Sequence, residues 1–252
     1  MRLIRSYESD KSYSERGTMS QAQTELSEFE IRQLSRRFET AGVEEILEWA
    51  VERFSPGLAM TSNFGVEGVV VIDHLARVAP RTPIIYLETG FQFAETDQLK
   101  ERLRARYGLN IIERRAALSV EEQNRIYGER LYERDPDLCC RIRKVEPLEQ
   151  ALKDYDAWIA ALRRDQSPTR ANIGVVEWNA RHGLVKINPL AAWTRRQVWD
   201  YILAHELPYN PLYDDGYASI GCVPCTRRVV AGAHERSGRW DGEKKLECGI
   251  HL

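Results

Sequence analysis

Apolar positions recur at helical spacing between residues 25 and 54, first Leu26, Phe29, Leu34 and Phe38, then Val43, Ile46, Leu47 and Ala50, with Gly42 between the two sets. That spacing predicts two opening helices. The pattern then changes to short apolar runs alternating with helical stretches. Residues 57–61 read as a strand, Ser62-Asn63-Phe64-Gly65-Val66-Glu67-Gly68 as a tight loop and residues 69–78 as a helix. Residues 83–87 form the next strand, Thr89 and Gly90 its turn, residues 94–107 a helix and residues 109–113 a further strand, and the apolar run over 156–162 extends the series. Strands alternating with helices predict an α/β fold with a mostly parallel twisted sheet and helices on both faces. Ligands of such sheets sit beyond the carboxyl ends of the strands.

Residues 163–170, Arg-Arg-Asp-Gln-Ser-Pro-Thr-Arg, follow a strand and put a basic loop at that same edge. Residues 178–188 read as a hairpin turning at Arg181, His182 and Gly183, and Thr194 reads as the N-cap of the next helix. From residue 231 glycines punctuate a polar segment. The organisation expected is a flexible segment over 1–24, one α/β domain over 25–230, and a mobile tail over 231–252.

Composition narrows the function classes. The chain has 252 residues, 43% hydrophobic and 29% charged, with a net charge of −2, which argues against wholesale nucleic-acid binding. Its apolar runs fall short of the 18 or so residues a membrane helix needs, and the first two dozen residues lack the apolar stretch of a secretory signal. The expectation is a cytoplasmic protein without a membrane partner.

Five cysteines change that picture. Cys139 and Cys140 are adjacent, Cys222 and Cys225 form a Cys-x-x-Cys, and Cys248 stands alone near the end. In a reducing compartment such clusters read as metal ligands or catalysts rather than disulfides. Structural zinc prefers two to four residues within each pair, which Cys139-Cys140 breaks, and the two thiols can share a small site only from a turn or a helix start. An iron–sulfur cube accommodates neighbouring thiolates better; zinc and plain buried cysteines are the alternatives. Lys144 lies one helical turn from Cys140. A lone thiol at Cys248 is nucleophilic as the thiolate, helped by cations such as Arg236, Arg239, Lys244, Lys245 or His251, or else is an accidental terminal cysteine. The Ser62–Gly68 loop, joining a strand to a helix N-terminus, suits a phosphate, although an unliganded turn would use the same glycines.

Together Cys139-Cys140-Arg141-Ile142-Arg143-Lys144-Val145-Glu146-Pro147-Leu148, Asn188-Pro189-Leu190 with Trp193-Thr194, Gly221-Cys222-Val223-Pro224-Cys225-Thr226 and the terminal Glu-Cys-Gly-Ile-His resemble the assimilatory sulfonucleotide reductases, in particular the iron–sulfur type acting on adenosine 5′-phosphosulfate (APS). The resemblance implies an adenine-nucleotide α-hydrolase-like fold, a [4Fe–4S] cluster on Cys139, Cys140, Cys222 and Cys225, and Cys248 as nucleophile. It implies substrate contacts from Ser62, Phe64, Gly65, Thr89, Gly90, Lys144, Arg164, Arg170, Arg236 and Arg239, thioredoxin as electron donor, and a homo-oligomer. Departures are local: Glu88 stands where the family usually has Asp, Ala94 where Pro is common, and Ile250 where Leu is usual. The alternatives are reduction of the 3′-phosphorylated nucleotide (PAPS), whose enzymes generally lack both cysteine pairs, and an ATP-cleaving ligase or thiolation enzyme, whose loop carries a Ser-Gly-Gly-x-Asp-Ser sequence absent here.

Overall fold

The computed structural model describes residues 26–230, 232–240, 245 and 247–251, so the flexible segment expected over 1–24 lies outside them, as does Lys244. Helix α1, Glu28–Arg37, opens at Ser27, whose hydroxyl accepts from the Glu30 N–H while the Glu30 carboxylate accepts from the Ser27 N–H. Such reciprocal pairing satisfies two donors that a helix start leaves orphaned. A 3-10 turn and the Gly42 cap separate it from α2, Val43–Phe54.

Then β1, Leu58–Thr61, leads into α3, Val66–Val78, and β2, Ile84–Glu88, leads into α4, Ala94–Tyr107, and β3, Ile111–Arg115. Four short helices follow: α5, Val120–Tyr127; α6, Leu131–Arg134; α7, Pro136–Cys140; and α8, Glu146–Leu152, the last two joined by a π-helical turn over Arg141–Val145. The chain continues through β4, Ala157–Ala160, β5, Val176–Asn179, β6, Leu184–Ile187, and α9, Arg195–Ala204. Thr194 caps α9 as its sequence predicts, with a reciprocal bond to Gln197. The 120–152 segment carries the helices least visible in sequence, because Gly128 and Asp135-Pro136 break it before any apolar period is established.

Among the described residues the sheet has six strands in the order β3-β2-β1-β4-β6-β5, parallel except for the β5–β6 hairpin at one edge. Alternate side chains enter two cores, as the period of two requires. Leu58, Met60, Ile84, Tyr86 and Ile159 face the larger one, shared with Leu47, Val70 and Val198 from α2, α3 and α9. Ala59, Ile85, Trp158 and Ala160 face the smaller one, covered by Leu148 and Leu152 of α8 and by Ile250 of the tail. Burial on both faces explains why these strands read as near-continuous apolar runs. The α/β sheet with helices on both faces expected from the alternation is the fold observed.

β1 lies between β2 and β4, so the chain runs outward one way through β2 and β3 and returns on the other side at β4. A crevice opens at such a switch point, beyond the strand carboxyl ends.

Candidate active site

The described residues form a cleft at that switch point, lined by Thr61 and Ser62 after β1, Leu87 and Thr89 after β2, and Ala161 and Leu162 after β4. Its floor is the loop into α3. There the Ser62 hydroxyl accepts from the Phe64 N–H at 3.0 Å and the Asn63 side chain accepts from the Gly65 N–H at 3.4 Å. Phe64 takes a left-handed φ of 57° and buries its ring on Tyr86, 5.4 Å between centroids. Of the loop glycines, Gly68 is the one with no room for a side chain, since a Cβ would stand 2.6 Å from Ser62 Oγ.

Asp135 caps α7 by accepting from the Leu138 N–H at 2.9 Å, with Pro136 in the first turn, and Cys139 and Cys140 are the last two residues of this five-residue helix, where it passes into the π-helical turn. The π-helical turn after Cys140 widens the backbone and brings Lys144 to the cleft wall. Cys222 reaches the same wall from a loop pinned by the Val223 N–H donating to the Phe91 carbonyl at 2.8 Å, with its Sγ 3.3 Å from Thr89 Oγ1. All five cysteines are free. Burial, reinforced by Cys140, Cys222 and Cys225, pushes the Cys139 thiol up to about 12, and burial pushes Cys140 up to about 11. At Cys222 burial also opposes ionisation, but Lys144 and the Thr89 hydroxyl outweigh it and bring the thiol below its ordinary value. Cys139 thus feels the charge of the other three thiols of the two pairs. Among the described residues, no three His, Cys, Asp or Glu side chains are arranged to hold a single metal ion.

The cleft is also lined by Arg170, Arg236, Arg239 and Cys248, and Arg239 donates from Nε to the Cys225 carbonyl at 3.2 Å. Arg239 lies so close over Gly221 that a Cβ there would collide with the guanidinium. Trp240 is a hub under three cations, with Arg239, Lys245 and Arg236 at 4.5, 5.6 and 5.8 Å from its ring centroid. Burial and the like charge of Arg170 pull Arg236 down to about 10. Cations crowded to this extent favour any anion that enters between them.

The segment 247–251 is docked in the cleft. The Glu247 carboxylate accepts from Arg170 Nε and Nη2, both at 2.7 Å. Arg181 on the hairpin turn donates to the Gly249 carbonyl at 3.0 Å, and the His251 ring stacks on Trp158, centroids 5.3 Å apart and 12° from parallel.

Of the residues singled out in sequence, Ser62, Gly65, Thr89, Lys144, Arg170, Arg236, Arg239, Cys222 and Cys248 share this cleft. Cys139, Cys140 and Cys225 lie outside this lining, and three of the residues expected at the substrate stand elsewhere. Arg164 donates through both Nη atoms to Glu39 and through Nε to the Ile173 carbonyl, on the surface side of its loop. Gly90 is exposed at its turn, its N–H donating to the Glu88 carboxylate, and Phe64 points into the core. Sequence reasoning missed Arg163, fully buried and bound by Glu67, Asp165 and Glu235, and it missed Tyr213 and Glu235 in the lining. Nothing in the local sequence distinguishes these from surface polar residues, because the Arg163 partners other than Asp165 lie 72 and 96 residues along the chain.

Comparisons with known proteins agree with this geometry. The sequence pattern of the phosphoadenosine phosphosulfate reductase domain matches residues 57–228. The chain is 53% identical to a phosphoadenosine 5′-phosphosulfate reductase of Gloeobacter violaceus over 88% of its length and 93% of the relative's. It is 46% identical to an adenosine 5′-phosphosulfate reductase of Halalkalibacterium halodurans, over 88% of this chain and 96% of that one. The crystal structure of a phosphoadenylyl-sulfate reductase from Candida auris superposes with a TM-score of 0.72 at 32% identity, covering 79% of this chain and 97% of the other. A match over more than half the chain, with relatives this similar along nearly their whole length, means that the chain belongs to the phosphoadenosine phosphosulfate reductase family.

Proposed function

We propose that the protein reduces adenosine 5′-phosphosulfate to sulfite and AMP through a sulfonated Cys248. The observation that carries the reading is that Cys248 lines the same cleft as Lys144, Arg170, Arg236 and Arg239, at the strand carboxyl ends. The nucleotide sits over the Ser62 loop with its phosphosulfate among these cations, whose forked donors suit oxyanions. The Cys248 thiolate attacks the sulfate sulfur, a sulfur–sulfur bond forms, the bond from sulfur to the bridging phosphate oxygen breaks, and AMP leaves with that electron pair. Cationic side chains stabilise charge growing on the departing phosphate. One thiol of thioredoxin then attacks Cys248 Sγ and releases sulfite, and its second thiol closes the thioredoxin disulfide and frees Cys248. Both electrons come from that dithiol, and the tail moves outward to meet it.

Cys139, Cys140, Cys222 and Cys225 fit a [4Fe–4S] cluster. They are unpaired by disulfides, close enough together that Cys139 feels the charge of the other three, and accompanied by a hydrogen-bonding Thr89 and by Lys144. A cube spreads its ligands over several corners and so suits thiols that do not close on a single point. When bound, it would supply a fixed anionic scaffold that orients Lys144 and tunes the field at the sulfate. Iron and acid-labile sulfide in anaerobically purified protein test this part.

Cys248→Ser tests the nucleophile. The variant is expected to bind the nucleotide yet to show no added sulfonyl mass, and turnover surviving in it would refute the assignment.

A second reading is the 3′-phosphorylated substrate named for the Gloeobacter relative. The cysteine pairs and the Halalkalibacterium relative favour the unphosphorylated one. Comparing kcat/KM for the two nucleotides decides between them.

A further inference from the structure

Glu247 immediately precedes the thiol and is almost wholly buried, its side chain 4% exposed. Besides its two bonds from Arg170, it accepts from Arg236 Nη2 at 3.2 Å, Ser167 Oγ at 3.2 Å and Thr169 Oγ1 at 3.0 Å. Burial alone would raise its pKa, but the Arg170 hydrogen bonds and the charge of Arg236 outweigh this and hold it ionised. A carboxylate from the chain itself thus occupies two of the arginines that line the anion end of the cleft. Beyond Cys248, the chain reverses at Gly249, with φ of 88°, and ends its docking on Trp158.

We infer that Glu247 is a latch, a positioning residue whose bonds to Arg170 and Arg236 seat Cys248 at the head of the cleft and compete with the incoming substrate anion for the same two guanidinium groups. This deepens the function proposed above and rests on it for the identity of that anion. The competition gives the latch a direction. With the cleft empty, the carboxylate holds the tail closed and shields the thiol. When a doubly charged anion arrives, Arg170 and Arg236 are shared, the tail is held less tightly, and the sulfonated thiol can swing out. A bidentate charge-assisted pair is the contact with most to lose when one partner is neutralised.

The first test needs no nucleotide. Alkylation of Cys248 by iodoacetamide, followed by intact and peptide mass in the holoprotein, is expected to quicken about tenfold in Glu247→Gln, in line with the loss of a hydrogen-bonded charge pair. Glu247→Asp, which keeps the charge on a shorter arm, should fall between. Arg170→Met should quicken it comparably, and the double variant no further than the faster single one, because both act through one contact. An unchanged rate in Glu247→Gln, or additive effects in the double variant, overturns the latch. The second test uses APS: Glu247→Gln should bind it more tightly while forming the Cys248 adduct more slowly, a split that general loosening does not produce. Weaker binding overturns the competition. Should wild-type protein form no adduct with APS at all, the proposed function fails while the alkylation result still stands or falls by itself.

Discussion

Arg163 and Arg170 lie on one loop at the carboxyl end of β4 and are both buried, yet their surroundings differ in sign. Around Arg163 the chain supplies three carboxylates: Glu67 at 2.9 Å, Glu235 at 2.9 Å and Asp165 in close contact, with Arg195 adding a second cation 3.7 Å from Glu235. Around Arg170 it supplies one, Glu247, shared with Arg236. Glu67 belongs to α3, whereas Glu247 belongs to a segment outside the helices and strands. A buried arginine with a neutralising carboxylate fixed on a framework helix, as Glu67 is on α3, is part of the scaffold. One neutralised by an exchangeable carboxylate is available to a ligand.

The largest effect should separate these two roles. Arg163→Met leaves three carboxylates without their common partner, and breaking such a buried pair costs about 3–5 kcal/mol. The urea midpoint at pH 7 should fall accordingly. Arg170→Met should cost much less stability, because Glu247 can follow its tail into water, while it weakens nucleotide binding severely. Equal destabilisation by the two substitutions would break the distinction.

The intermediate effect concerns what holds the exchangeable side in place. The pKa of His251, docked on Trp158, lies well below its ordinary value because of burial and the nearby charges of Lys186, Arg170 and Arg236. Its Nδ1 is buried with no hydrogen-bond partner among the described residues. His182 also faces Trp158, 5.6 Å between ring centroids, and is likewise depressed, by burial and Arg181. Because the docked pKa is lowered, docking is at full strength above about pH 6.5, the value for the free side chain. It weakens as pH falls through that value, by at most about tenfold per unit for one proton. Hydrogen exchange in residues 247–251, corrected for intrinsic rates, should therefore show less protection at pH 5.5 than at pH 7.5. His251→Phe, which keeps a ring on Trp158 and cannot take up the proton, should flatten the change.

How much of this was legible beforehand follows from where the partners lie in sequence. Strands such as β1 and β4 announce themselves because burial on both faces leaves continuous apolar runs, and the cysteine pairs announce themselves by spacing. The π-helical turn that brings Lys144 to the cleft has no comparable signal, since Arg-Ile-Arg-Lys-Val reads equally well as ordinary helix. Arginines 163, 164 and 170 look interchangeable in sequence. Their destinations depend on Glu67, Glu235, Glu39 and Glu247, which lie 77 to 125 residues away for the pairs with Arg170 and Arg164, and no local pattern encodes such distances.

Arg164 supplies the smallest effect and the sharpest control. It is adjacent to Arg163 and was expected at the substrate, but its guanidinium forks onto Glu39 at 2.6 and 2.8 Å. The side chains of the pair are 29% and 39% exposed. The geometry is favourable, but water screens the charges, and pairs of this kind contribute about 0–1 kcal/mol. Arg164→Ala should therefore shift the urea midpoint slightly and leave both the affinity for APS and the rate of Cys248 sulfonation at the wild-type value. Suppose instead that nucleotide affinity fell tenfold, about 1.4 kcal/mol, with stability intact. Arg164 would then have to abandon Glu39 for the cleft when substrate binds, and carboxylate count in the free protein would no longer tell a structural arginine from a working one.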